Sequence, residues 1–142
     1  MTITNAIILA GGLGTRLKSA VPDLPKCMAP VAGKPFIAYV INELRQQGIQ
    51  HFIFALGYKN ESFHEFLRQA LPAGNYQLSI EEEPLGTGGA IKQACTLLSE
   101  TNTLVANGDT LFKIDVNALA RFHDSRSAQC TLSLKPMKQF SR

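Results

Sequence analysis

Ala6-Ile7-Ile8-Leu9-Ala10, followed at once by Gly11-Gly12-Leu13-Gly14-Thr15-Arg16-Leu17, is the stretch on which the fold turns. An unbroken apolar run of this length reads as a strand buried on both faces. The glycines behind it read as a tight loop at its carboxyl end. From Gly11 to Lys26 no period is sustained, and Pro22 and Pro25 break any helix. Ala32-Gly33-Lys34-Pro35 is a turn. Beyond it Ile37, Val40, Ile41 and Leu44 recur at helical spacing and stop near Gly48. Phe52 to Leu56 is a second buried strand, and Phe63, Phe66, Leu67 and Ala70 line a second helix. Tyr76 to Ile80 alternates as a strand, and Ile91, Ala94, Cys95 and Leu98 mark a third helix. Thr103 to Ala106 is a further buried strand, Asp115 begins a fourth helix through Val116, Leu119 and Ala120, and Cys130-Thr131-Leu132-Ser133-Leu134 reads as a last strand. Strands alternating with helices predict βαβ units, hence an α/β fold with a mostly parallel sheet.

Composition narrows the classes. At 142 residues the chain matches about one domain. Hydrophobic residues at 45% and charged residues at 18% give a globular balance, and Gly 11 with Pro 7 is too few for low complexity. Lys+Arg 14 against Asp+Glu 11 leaves +3, too small an excess for a nucleic-acid footprint. It can still be concentrated around an anionic small molecule. Cys27, Cys95 and Cys130 form no C-x-x-C pair and read as small buried hydrophobes in a reducing compartment. Met1-Thr2-Ile3-Thr4-Asn5 lacks the basic start of a secretory signal. No apolar run approaches the roughly 18 residues of a spanning helix. The expectation is a cytoplasmic protein with neither nucleic acid nor membrane as a partner.

Parallel sheets bind ligands in the crevice outside the carboxyl ends of their strands, and three unusual loops fall there. In the first, Gly11, Gly12 and Gly14 let backbone N–H groups close on an anion, with Leu9, Ala10 and Thr15 flanking them. Arg16 can fork two phosphate oxygens, and Lys26, behind Pro25, adds a mobile point charge. The spacing matches neither G-x-G-x-x-G nor the P-loop pattern. The bland alternative is a turn with surface cations, but glycines, arginine and Pro-Lys together outweigh it. The second loop is Glu81-Glu82-Glu83-Pro84-Leu85-Gly86-Thr87-Gly88-Gly89. Alone it would be a solvated strand end. The third, Asn107-Gly108-Asp109, ends a buried strand with a carboxylate suited to Mg²⁺, which typically takes one or two carboxylates plus substrate phosphates. His51, His64 and His123 read as structural.

Gly-Gly-x-Gly-Thr-Arg-Leu with a downstream Pro-Lys resembles the signature of the sugar-1-phosphate nucleotidyltransferases. The resemblance implies an α/β fold with a mostly parallel, Rossmann-like sheet and helices on both faces. Many members carry proline after the lysine, where this chain has Cys27. It implies that the glycine loop wraps a nucleoside triphosphate and that Arg16 and Lys26 are the catalytic cations. It also implies that the stretch around Pro84, Leu85, Gly86 and Thr87 packs on base and ribose. A carboxylate at Glu81 or Glu83 would suit guanine, which presents adjacent N1–H and N2–H₂ donors. Asp109 would be a Mg²⁺ ligand. The family's second metal aspartate and its sugar-contacting loops fall further along than Arg142, so residues 1–142 are expected to be the N-terminal, nucleotide-binding part of a single domain, truncated at the C-terminus.

Within the family, Leu24-Pro25-Lys26 running into Met28-Ala29-Pro30, Gly57-Tyr58-Lys59 and the Glu83–Gly89 loop look most like the guanylyltransferases acting on D-glycero-D-manno-heptose 1-phosphate. The implied partners are a nucleoside triphosphate and a sugar 1-phosphate. The implied reaction transfers GMP from GTP and releases pyrophosphate, with UTP or dTTP as the other-base alternative. A nucleotide-binding fragment without turnover is a further alternative. A nucleotide-sugar glycosyltransferase ranks third, because Asp-x-Asp fails at Leu111. An uncovered edge beyond the last strand predicts self-association, which leaves a homo-oligomer open.

Overall fold

The computed structural model describes residues 2–11, 25–57 and 61–136. Strand β1 (Asn5–Leu9) comes first, then a 3₁₀ turn at Lys26–Met28 and a small hairpin of β2 (Pro30–Val31) and β3 (Lys34–Pro35). Helix α1 (Phe36–Gln46), β4 (His51–Leu56), α2 (Glu61–Ala70) and β5 (Tyr76–Ile80) follow. Helix α3 (Gly86–Cys95), β6 (Leu104–Asn107) and α4 (Val116–Ser125) complete the described elements. Four strands form one parallel sheet in the order β5-β4-β1-β6, and β2 pairs antiparallel with β3.

The two faces of the sheet follow from alternation along β1 and β4. Ala6, Ile8, Phe52, Phe54 and Leu56 point into the larger core with Ile37, Val40, Ile41 and Leu44 of α1, Phe63 and Leu67 of α2, and Val116 and Ala120 of α4. Phe54 packs edge-on against Phe63 at 5.5 Å between ring centroids. Ile7 and Ile53 point the other way and meet Ala94 of α3. Each valine, leucine, isoleucine or phenylalanine among them contributes about 1.5–3 kcal/mol on burial. The crossovers explain the asymmetry. The chain steps outward twice through α1 and α2 and then returns past β1 through α3, so right-handed connections place α3 on the opposite face. Asp115 caps α4 as expected, accepting from the Ala118 N–H at 2.8 Å.

Two expectations are corrected. Residues 130–134 are not in a strand, and Leu132 and Leu134 are 75% and 82% exposed. An alternating segment becomes a strand only when a neighbour completes its ladder. Among the described residues none does, and Thr131 instead meets His123 Nδ1 of α4 at 2.8 Å. Of the cysteines only Cys27 is buried, while Cys95 and Cys130 are exposed. No helix among the described residues is long and apolar enough to cross a membrane.

Candidate nucleotide-binding site

The strand order reverses at β1, so the crevice between the carboxyl ends of β1 and β6 is the switch point where such sheets take ligands. The register brings these ends level, with Leu9 opposite Ala55 on one side and Asn107 on the other. Ala10 extends the pairing by donating to Ala55 O at 2.9 Å. Gly11 then lies against Gly57 at the end of β4. A Cβ on Gly11 would stand 2.7 Å from Gly57 N, and one on Gly57 would stand 2.9 Å from Gly11 O. Backbone therefore packs on backbone here, a reason for Gly11 that adds to its freedom to face an anion. Sequence reasoning had no such reason for Gly57, because its partner lies on another strand.

At β6, Gly108 N–H donates to Leu9 O at 2.9 Å, and a Cβ there would stand 2.9 Å from Ile37 Cδ1. This flush contact sets Asp109 beside the end of β1. Lys26 reaches it from the 3₁₀ turn. Cys27 and Met28 are buried and Met28 N–H bonds Pro25 O at 2.8 Å, which pins the turn and leaves Lys26 exposed. Lys26 Nζ lies 2.7 Å from Asp109 Oδ2, and the Thr110 hydroxyl donates to Asp109 Oδ1 at 3.2 Å. The Lys26 ammonium holds the Asp109 carboxyl below its usual range against a smaller opposing effect of burial. Burial pushes the Cys27 thiol up to about 12, with Asp109 adding in the same direction, so it stays protonated at neutral pH.

The third loop closes on itself at the end of β5. Glu81 N–H donates to Leu56 O at 2.9 Å, and Glu81 Oε2 accepts from Leu85 N–H at 2.8 Å. Glu83, Pro84, Leu85, Gly86 and Thr87 are exposed. Gln93 of α3, which carried no sequence signal, donates to Ile80 O at 2.7 Å. Read along the edge, the order is the Glu81 loop, Gly57, Gly11 and Asp109 with Lys26. Gly12, Gly14, Thr15 and Arg16 lie outside the described residues, as do Tyr58 and Lys59. The three histidines sit elsewhere: His51 opens β4 at its amino end, His64 stands edge-on to Tyr76, and His123 meets Thr131.

The family profile described as nucleotidyl transferase matches residues 5–141. The chain belongs to the nucleotidyl transferase family. As a nucleotidyl transferase it is 48% identical over 137 residues to D-glycero-alpha-D-manno-heptose 1-phosphate guanylyltransferase of Aneurinibacillus thermoaerophilus, covering 96% of this chain and 60% of that protein. The protein of the same name from Campylobacter jejuni is 44% identical over the same shares. This nucleotidyl transferase thus spans about 60% of the length of these curated relatives. The crystal structure of HddC from Yersinia pseudotuberculosis complexed with GMP-PN superposes with a TM-score of 0.75 at 40% identity, covering 85% of this chain and 54% of that one. The UTP-bound UGPase from Acinetobacter baumannii, at 24% identity and a TM-score of 0.71, shares the fold.

Proposed function

We propose that this chain carries the nucleotide-binding part of a sugar-1-phosphate guanylyltransferase that transfers GMP from GTP to a manno-heptose 1-phosphate. The observation that carries the reading is the meeting of Lys26 and Asp109, at 2.7 Å, beside the end of β1 in the switch-point crevice. The names of the relatives at 48% and 44% identity supply the base and the sugar. Free cysteines and a nucleoside triphosphate substrate fit a cytoplasmic setting.

In the reaction a phosphate oxygen of the sugar 1-phosphate attacks the α-phosphorus of GTP. The new P–O bond forms as the bond from that phosphorus to the α,β-bridging oxygen breaks, and pyrophosphate leaves with the electron pair. The nucleophile is already an anion, so the protein's task is alignment and charge neutralisation rather than proton abstraction. Gly11, with Gly12 and Gly14, offers backbone N–H groups to the triphosphate. Lys26 turns from Asp109 to a phosphate oxygen and stabilises the charge that develops there, and Arg16 adds a second cation. Pro84, Leu85 and Gly86 receive the nucleoside.

The residues fit a Mg²⁺ ion. Asp109 is a partly exposed carboxylate at a strand end, and among the described residues no cluster of three acidic, His or Cys side chains competes as a cage. One carboxylate plus substrate phosphates is a donor set that Mg²⁺ accepts. When bound, it supplies charge neutralisation across the phosphate oxygens.

A thermal-shift panel of GTP, UTP, dTTP, CTP and ATP, each with Mg²⁺, tests the base. Selective binding at about 100 times Kd raises stability by about 2.7 kcal/mol. Stabilisation by GTP alone is the expected result, with pyrophosphate release on addition of D-glycero-D-manno-heptose 1-phosphate expected of an enzyme competent for turnover. Preference for UTP or dTTP replaces the guanine reading, and GTP binding without pyrophosphate release replaces the enzyme reading for this chain.

A further inference from the structure

Lys26 and Asp109 meet from two rigid supports. The 3₁₀ turn holds the Lys26 backbone, with Met28 N–H on Pro25 O at 2.8 Å and Ala29 N–H on Lys26 O at 3.1 Å. Gly108, whose N–H bonds Leu9 O at 2.9 Å, holds the backbone beside Asp109. The two side chains remain 45% and 34% exposed. An ion from solution can therefore approach the pair, and the flexible four-carbon stem of the lysine can leave it. As the pair stands, its charges cancel. The ammonium donates to Oδ2 at 2.7 Å and Thr110 to Oδ1 at 3.2 Å, yet each oxygen keeps a further lone pair. A cation from solution is thus not shut out for want of a donor atom. It is opposed by charge, because it meets a neutral pair, ammonium included, where a lone carboxylate would attract it. No group of three acidic, His or Cys side chains among the described residues makes up the loss.

We propose that Lys26 stands in for the metal in the nucleotide-free chain: it neutralises Asp109, weakens the hold of that carboxylate on Mg²⁺, and releases it when a triphosphate claims the ammonium. The triphosphate then adds its own oxygens to the freed carboxylate. Nucleotide and metal strengthen each other's binding through this exchange, and the coupling is equal in both directions. Lys26 thereby has a task before the reaction as well as within it. This rests on the nucleotide reading above.

Mn²⁺, a paramagnetic substitute for Mg²⁺, tests the first half with no nucleotide present. Its affinity at Asp109 would be read from broadening of the Gly108 and Asp109 amide signals in wild type, Lys26→Met and Lys26→Arg. Asp109→Asn, added to each, marks any binding elsewhere. Lys26 is exposed, so neither substitution disturbs the core. Lys26→Met should hold Mn²⁺ about fivefold more tightly than wild type, the worth of one exposed ion pair. Lys26→Arg, which keeps the charge, should match wild type. Equal affinity in wild type and Lys26→Met overturns the proposal, and so does broadening that survives Asp109→Asn unchanged. Metal-free GTP tests the second half through the nitrogen resonance of the Lys26 ammonium. GTP should move that signal, whereas Mg²⁺ alone should leave it in place. GTP that binds without moving it overturns the proposal. A chain that binds no nucleotide sinks the nucleotide reading and the exchange with it, while the Mn²⁺ series still decides whether Lys26 opposes the cation.

Discussion

The two ends of the sheet's carboxyl edge are held by different means. At β6 the contact is an ion pair between Lys26 and Asp109, residues 83 apart in the chain, with side chains 45% and 34% exposed. At β5 the contacts are local: Glu81 closes on Leu85, and Gln93 closes on Ile80. The ion pair is open to exchange, because a triphosphate bound as proposed would offer Lys26 more negative charge than one carboxylate does. The β5 loop is set before any ligand arrives. Rearrangement is thereby confined to the phosphates, and preorganisation lies where the nucleoside is proposed to rest.

Removing Lys26 should have the largest effect and should fall on activity alone. In an enzyme competent for turnover, Lys26→Ala is expected to slow pyrophosphate release about 10²–10³-fold, the usual loss when one preorganised donor to developing charge is removed. Thermal stability should hardly move, since exposed ion pairs contribute about 0.2–1 kcal/mol. Wild-type turnover in this variant would remove Lys26 from the mechanism. A fall in stability matching the fall in rate would make the pair a structural tie rather than an exchangeable one.

The next effect tests what separates the two ends. Gly11→Ala places a methyl group 2.7 Å from Gly57 N, and neither backbone can yield without parting β1 from β4. A loss of about 1–3 kcal/mol is expected, the range for an overpacked site. Gly88→Ala is the control, because nothing lies within 4 Å of its Cβ and it sits in α3. There alanine should be neutral or stabilising by up to about 1 kcal/mol. Urea midpoints of the two variants give the comparison, and equal midpoints would dismiss the close approach as a constraint.

These contrasts also mark what was legible in the sequence. β1 and β4 were legible because strands covered on both faces are written as continuous apolar runs. The spacing of Ile37, Val40, Ile41 and Leu44 showed α1 for the same kind of local reason, and Asp115 was visible as a cap. Residues 130–134 were misread because alternation records what a strand looks like and not whether a neighbour is there to pair with it. Lys26 and Asp109 each stood out singly, but their contact joins distant parts of the chain and has no local pattern. Gly57 stood out only within Gly57-Tyr58-Lys59, and its approach to Gly11 was hidden for that reason too. Glu81 is the instructive case: its bond to Leu85 spans four residues, yet the two adjacent glutamates hid which of the three carboxylates was engaged.

The smallest expected effect concerns pH and isolates the exchangeable end. The Asp109 carboxyl is depressed in the folded chain, chiefly by its hydrogen bond from Lys26. A depressed carboxylate favours the folded state at neutral pH, and the contribution is lost as the pH falls through the folded value, below the ordinary range near 4. In metal-free buffer, wild type should therefore exceed Asp109→Asn in stability by less than about 1 kcal/mol at neutral pH, the ceiling for a pair this exposed. The gap should close only as the pH falls below the ordinary carboxylate range, through the depressed folded value, where Asp109 takes up its proton and both side chains are neutral. High salt should narrow the gap at neutral pH for the same reason, since the pair is open to screening. Urea titrations of both proteins across this range measure the difference directly. A gap that neither acid nor salt alters would mean that Asp109 stabilises β6 through Thr110 and the strand end, and that Lys26 is free to leave without cost.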